Sequence, residues 1–456
     1  MNSHWILPAL ACAISGALPA AGAPDAALDG LLRRALERNP EVLQARAAVE
    51  AERRRVPQAG AWPDPVLSLG IQNDSFSSWT VGEMEMSFVS FGASQAIPWP
   101  GKRGLREQLA SLGLRRSEAS LARAALDLEA QVRGGYVDLL LAREQLALTG
   151  ELEMLWRQAQ GAARVRYESG QAPQSDLLRA ELELARLAQR RALEEVQAAN
   201  SQAALNRLVG DPLEARIESE ARLAGSEPEP VAEGEALRDA EARSPELAAA
   251  RVAVDEAAAG TGLAKKEWWP DLSVQAAVMY RGSLPAMWQL GLALPLPLWG
   301  KRKQGNLVAE NEHRAAAAGQ SAEGVRQVLA LRTHERLALL KATLGINERY
   351  RSGLLALSEA TARSTLSQYQ VGRVPFTAVL EALGSLVADR VSYLISSADA
   401  QRIAIAQRSL SLDAPAMGGG GAAGAPMPGT SNAAAPARGS TEQAQPAASP
   451  QGMRSM

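Results

Sequence analysis

The chain says nearly the same thing twice. Pro98-Trp99-Pro100-Gly101-Lys102-Arg103 returns as Pro297-Leu298-Trp299-Gly300-Lys301-Arg302, with the two Gly-Lys-Arg steps 199 residues apart. Asn39-Pro40-Glu41 returns as Ser244-Pro245-Glu246 at an offset of 205, and Trp62-Pro63-Asp64 as Trp269-Pro270-Asp271 at 207. Tyr167-x-x-Gly170-x-x-Pro173 returns as Tyr369-x-x-Gly372-x-x-Pro375 at 202. A duplication this long restricts the fold to one architectural unit used twice about a pseudo-twofold.

Hydrophobic periodicity fills in the unit. Residues 31–56 carry a helical pattern that Pro57 ends, and Trp62-Pro63-Asp64-Pro65 breaks the chain again. Leu67, Leu69 and Ile71 alternate with Ser68, Gly70 and Gln72, which predicts a strand over about 66–72 with one apolar face. A second strand is predicted over about 83–97, with Met84, Met86 and Phe88 on the apolar side. The second half predicts strands over about 272–280 and 287–297. From Arg103 to Glu168 there is no proline, and apolar residues recur at threes and fours. That predicts one helix of roughly 100 Å, which only packing against other long helices stabilises. Gly170–Pro173 forms a turn, Ser175-Asp176 caps a returning helix, and Gly210-Asp211-Pro212 stops it. The repeat predicts a helix over 303–371, a turn at Gly372–Pro375 and a return to about Leu412.

The expected organisation is a secretory leader over 1–23, a first repeat over 24–210, a linker over 211–235, a second repeat over 236–413 and a disordered tail over 414–456. A leader that stays as a membrane anchor is disfavoured by Pro8, Gly16 and Pro19, and Cys12 reads as an ordinary residue of its apolar stretch. Composition narrows function. Aromatics are 4% and the net charge is −2 with both signs interspersed, so neither a basic nucleic-acid face nor a polyanion partner is implied. One cysteine and three histidines, His4, His313 and His334, form no metal-ligating cluster. No catalytic signature or cofactor fingerprint occurs, so an enzyme is not expected.

Four strands of membrane-crossing length cannot close a transmembrane barrel alone, and open edges in lipid leave backbone groups unpaired. Either the chain oligomerises, most economically as a trimer, or the strands do not cross a membrane. Gln95 through Arg103, its echo at 295–302 and the paired Tyr-x-x-Gly turns, in this order over about 31–412, resemble the TolC-like outer-membrane efflux family. The Pro-Trp-Pro-Gly-Lys-Arg form is most similar to its heavy-metal efflux, CzcC/CusC-like branch. The resemblance implies a mainly α homotrimer with a twelve-stranded outer-membrane β-barrel on an α-helical periplasmic tunnel. Such a protein is the passive exit duct of a tripartite pump. Its partners are a periplasmic adaptor (membrane fusion) protein, an inner-membrane transporter of the RND type and outer-membrane lipid. Heavy-metal cations, drugs and secreted protein remain open as cargo. The competing class is a non-pore periplasmic coiled-coil or adaptor-type protein, which would carry longer, less alternating β segments.

The same resemblance makes the turns the tunnel tip where the adaptor docks. Tyr167, Ser169, Gly170, Gln171, Tyr369, Val371, Gly372 and Arg373 are the candidate contacts. Glycine there also has a sufficient local reason, a left-handed φ. Glu168 and Asp176 are candidates for an entrance charge ring, against the plainer reading of a solvated face. Trp99, Gly101, Lys102, Arg103, Trp299, Gly300, Lys301 and Arg302 form the strand-to-helix joints. Cations oppose the macrodipole at a helix start, so the expectation is that the four cations reach periplasmic lipid headgroups beside Trp99 and Trp299. The competing reading is a flexible joint with solvated charges. Met84 and Met86 suggest a metal relay, but their alternation with Glu83 and Glu85 assigns them to the lipid face.

Overall fold

The computed structural model describes residues 26–223 and 227–414. The leader, Cys12 and the tail from 415 onward lie outside the described residues. The first repeat runs α1 (Ala26–Arg38), α2 (Pro40–Ala59), β1 (Val66–Gln72), β2 (Phe88–Ile97), α3 (Lys102–Glu168) and α4 (Gln174–Val209). The second runs α5 (Glu233–Arg243), α6 (Pro245–Lys266), β3 (Leu272–Arg281), β4 (Leu284–Ala293), α7 (Asn306–Arg349), α8 (Leu355–Gln370) and α9 (Phe376–Ser409). The 67 residues of α3 make a rod of roughly 100 Å.

Several predicted boundaries move, each for a local reason. The single helix expected over 31–56 is two, because Asn39 is extended at the start of α2 and its side chain caps the Glu41 amide, with Pro40 following. Pro57 does not end α2, which continues to Ala59. The strand expected from 83 begins only at Phe88. Asn73 folds residues 73–87 into a compact loop, donating to the Ser78 carbonyl and accepting from the Thr80 amide and hydroxyl. Met84 and Met86 therefore sit exposed in turns, not on a strand face. The last strand lies over 284–293 rather than 287–297. Ser175 and Asp176 do not cap α4, whose N-cap is Pro173 with no side-chain bond. The second long helix is not uniform: π-helical turns at Lys301–Gly305 and Tyr350–Leu354 interrupt it. Part of the linker is packed. Ile217 and Leu223 are buried against α3, with Arg143 donating to the Ile217 carbonyl and Glu144 accepting from the Leu223 amide.

The four strands form one antiparallel sheet in the order β1-β2-β3-β4, so the repeats meet at β2 and β3. The register aligns Leu69, Phe91, Val278 and Trp288 across the sheet, and Leu67, Ala93, Ala276 and Leu290 beside them. One face is thus apolar from edge to edge, and its large side chains are exposed. The other face is mainly small and polar, with Val66, Phe88, Met279 and Met287 towards its ends. Glycines there stand opposite polar side chains: a Cβ on Gly92 would lie 2.6 Å from Ser68 Oγ, and one on Gly291 2.7 Å from Gln275 Nε2.

Away from the sheet the helices make the core. One cluster joins α1, α2, α3, α4 and α9 through Leu32, Val132, Leu139, Leu205 and Ala398. A second joins α3, α4, α8 and α9 at their far ends through Trp156, Ala163, Ala180, Leu366 and Leu383. No helix among the described residues is long and apolar enough to cross a membrane.

Candidate functional site

Two places gather the residues singled out by the repeats: the turns at the far end of the long helices, and the joints where strand becomes helix.

Both turns end their helices in the same way. Gly170 and Gly372 have φ of 72° and 77°, the left-handed region that favours glycine. The amide after each glycine reaches back five residues, Gln171 to the Arg166 carbonyl at 2.8 Å and Arg373 to the Gln368 carbonyl at 2.9 Å. This is the Schellman closure, and it orients both tips alike. The side chains then diverge. Tyr167 is exposed, whereas its repeat counterpart Tyr369 is 1% exposed and packs edge-on to Phe376 with ring centroids 5.2 Å apart. The Tyr369 hydroxyl donates to Asp176 Oδ2 at 3.1 Å. Burial, with the Asp176 carboxylate adding to it, pushes the Tyr369 phenol up to about 12.

Arg166 fastens the two turns together. Its guanidinium lies 4.7 Å from the Tyr369 ring centroid, and it donates to the Tyr369 carbonyl at 2.5 Å and the Gln171 carbonyl at 3.3 Å. Sequence reasoning missed this residue, because its partners are main-chain carbonyls on both turns. Ser169, Gly170, Gln171, Val371, Gly372 and Arg373 are exposed at the tips. Glu168 is ion-paired to Arg164 at 2.9 Å and Asp176 is held by Tyr369, so neither carboxylate stands alone. A cleft of about 460 Å³ opens between the turns, bordered by Arg166, Arg179 and Arg373. None of the three has a carboxylate partner among the described residues, while Arg157, Arg164, Arg186 and Arg363 nearby are all paired.

At the first joint, Gly101 starts α3 with φ 92°, and Lys102 turns inward. The Lys102 side chain is 2% exposed, with Nζ 3.0 Å from Asp271 Oδ1 and 3.1 Å from Glu267 Oε2. The Trp99 amide donates to Asp271 at 2.9 Å, and its ring stacks on Trp269 at 4.8 Å. Partial burial opposes ionisation of Asp271, yet the Trp99 amide and Lys102 hold its carboxyl below the usual range. Arg103 donates to the Gly60 carbonyl and lies 4.3 Å from the Trp62 ring centroid. The expectation of lipid-facing cations therefore fails for the first copy. Lys102 is buried in an ion pair, and Arg103 is tied to protein.

The second joint is built differently. Lys301 and Arg302 are exposed, neither has an ion-pair partner among the described residues, and Trp299 is exposed. Gly300 has an ordinary helical φ of −51°, and its glycine is needed for space: a Cβ would lie 2.8 Å from the Trp268 ring. The partners of the first joint, Trp62, Trp269 and Asp271, come from the duplicated Trp-Pro-Asp motif. That motif was visible in the sequence as a chain breaker and repeat marker, with nothing local to pair it with Gly-Lys-Arg.

The sequence profile of the outer membrane efflux protein family matches residues 31–211 and 236–411. The chain is 25% identical over 384 residues to the cobalt-zinc-cadmium resistance protein CzcC of Cupriavidus metallidurans, covering 82% of this chain and 87% of that one. Its fold is similar to the outer membrane protein VceC of Vibrio cholerae, with a TM-score of 0.72 at 18% identity over 85% of this chain and 96% of that one. It is also similar to CusC, described for transmembrane channel formation, with a TM-score of 0.69 at 17% identity over 85% and 92%.

Proposed function

The chain belongs to the outer membrane efflux protein family, and on that premise we propose that three copies close their sheets into one barrel in the outer membrane. Their helices hang below it as a periplasmic tunnel, and the assembly is the passive exit duct of a tripartite pump. The observation that carries this reading is the sheet. One face is apolar from edge to edge, the other is mainly small and polar, and both outer strands lack a further partner among the described residues. Unpaired edges in hydrocarbon cost several kcal/mol per group, so such a sheet must close on copies of itself. Two copies would give a barrel of roughly eight strands, whose interior side chains fill it; three leave an open lumen.

The tips are where a periplasmic adaptor docks, presented by the exposed Tyr167, Gln171, Val371 and Arg373. Behind the adaptor stands an inner-membrane transporter of the RND type. The likeness to a cobalt-zinc-cadmium resistance protein supports divalent heavy-metal cations as the cargo.

Two measurements test this. The purified chain reconstituted in planar bilayers should run at a three-chain mass and give stepwise ion conductance. A trimer without conductance would favour the non-pore structural reading. A strain lacking the chain should lose growth on zinc, cobalt or cadmium. Sensitivity to ethidium alone would move the cargo to organic drugs.

A further inference from the structure

The two joints are repeat copies, yet only one has its partner. Lys102 follows β2, and Asp271 precedes β3, the strand paired with β2. The Lys102–Asp271 ion pair thus clasps the base of the β2–β3 ladder at 3.0 Å. Its repeat counterparts are Lys301, which follows β4, and Asp64, which precedes β1. These two lie at opposite edges of the sheet. Both are exposed, and neither has an ion-pair or hydrogen-bond partner among the described residues.

We propose that Lys301 of one copy pairs with Asp64 of the next, repeating between chains the clasp that Lys102 and Asp271 make within one. The proposal rests on the reading of a ring of copies, and names the residues that join them.

The repeat offsets set the register as well. The β2–β3 ladder places Ile97 opposite Leu272 and Phe91 opposite Val278. Shifting the first member by 199 and the second back by 207 gives Leu296 opposite Pro65, Leu292 opposite Leu69 and Leu290 opposite Ile71 of the neighbour. A one-residue slip would turn one strand's apolar side into the lumen. This register does not. Leu290 and Leu292 already lie on the same sheet face as Trp288, and Leu69 and Ile71 on the face of Phe91. Gly291 then meets Gly70 on the polar face. The contact joins unlike surfaces head to tail, the kind that closes a ring.

The experiment is a charge exchange in the full chain, read by native mass and by bilayer conductance. D64K and K301D alone should each lower the trimer fraction about tenfold or more at low salt, because one ion pair is lost at each of the three interfaces. The double variant D64K/K301D should restore it. A second arm keeps the test independent of assembly yield: in a Cys12→Ser background, D64C/K301C treated with a short bismaleimide should give covalent dimers and trimers, while D64C or K301C alone should not give trimers on denaturing gels. Failure of the exchange to restore the trimer, or no interchain product from the double-cysteine chain, overturns the clasp. If wild type itself neither trimerises nor conducts, the channel reading falls with it; if wild type does both, only the clasp falls.

Discussion

At the scale of the residue, burial decides what a charge does. Lys102 is buried, and two carboxylates lie within 3.1 Å of its ammonium. Replacing it with Met removes the lysine paired with Asp271 and Glu267, leaving only the more weakly acting Arg106 near Asp271. Both carboxylates are more than a third exposed, so water recovers part of the loss, and the cost should be about 2 kcal/mol. Thermal unfolding checks this. The same variant should flatten one limb of the stability–pH curve. Asp271 is held below its ordinary range, so its contribution is complete above about pH 4 and fades as pH falls through the folded-state value. At the tip, Tyr369→Phe removes the donor to Asp176 and should cost about 1 kcal/mol, read as faster amide exchange across residues 370–378. Because the phenol is raised to about 12, its contribution is complete below about pH 10 and lost only as pH rises through the folded value. Neither environment was legible in the sequence. Lys102 finds Asp271 169 positions away, and Tyr369 finds Asp176 193 away, so no local pattern marks them. Tyr167 and Tyr369 look alike in the repeat, yet only Tyr369 is packed between Arg166, Phe376 and Asp176.

At the scale of the element, the long helices and all four strands were readable, two strands with shifted bounds, because periodicity over many residues outweighs any single one. What sequence missed were points where one side chain redirects the backbone. Asn73 gathers four polar contacts and delays β2 to Phe88. Pro57 lies in the last turn of α2, which ends two residues later at Ala59, so it limits the helix without stopping it at once. The π-turns of the second repeat have no signature that distinguishes them from α-helix. The tip turns give a comparison between equivalent elements. An alanine at either glycine must hold a left-handed φ, at about 1–2 kcal/mol. At Gly170 the added Cβ meets nothing within 4 Å, while at Gly372 it stands 3.2 Å from Arg166 Nη2. G372A should therefore destabilise the tips more than G170A, and should also loosen the hold of Arg166 on Tyr369. Hydrogen exchange at residues 166–176 reads this directly: protection should fall in both variants, and further in G372A, where the added Cβ also presses on Arg166.

At the scale of the whole molecule, the sheet divides the protein's surroundings in two. Leu67, Leu69, Phe91, Val278, Trp288 and Leu290 are exposed on one face, and each is worth about 1.5–3 kcal/mol when taken out of water. No element among the described residues covers them. On the proposed reading a lipid bilayer does so, and the opposite face, with Ser68, Ser90, Gln275 and Gln289, lines the lumen. Neighbouring residues on β4 make a sharp test, since Leu290 faces the apolar side opposite Ala276 and Gln289 the polar side opposite Ala277. A lysine at the middle of the lipid face of a transmembrane barrel costs about 2–4 kcal/mol, whereas one in the lumen is solvated. L290K should therefore remain outside the membrane fraction or fail to trimerise. Q289K should insert normally, and three added cations around one pore should shift the reversal potential in a salt gradient toward anions. If L290K inserts and conducts as wild type while Q289K is excluded, the sheet is inside out relative to this reading. If both insert with unchanged selectivity, the sheet does not line the conducting path at all.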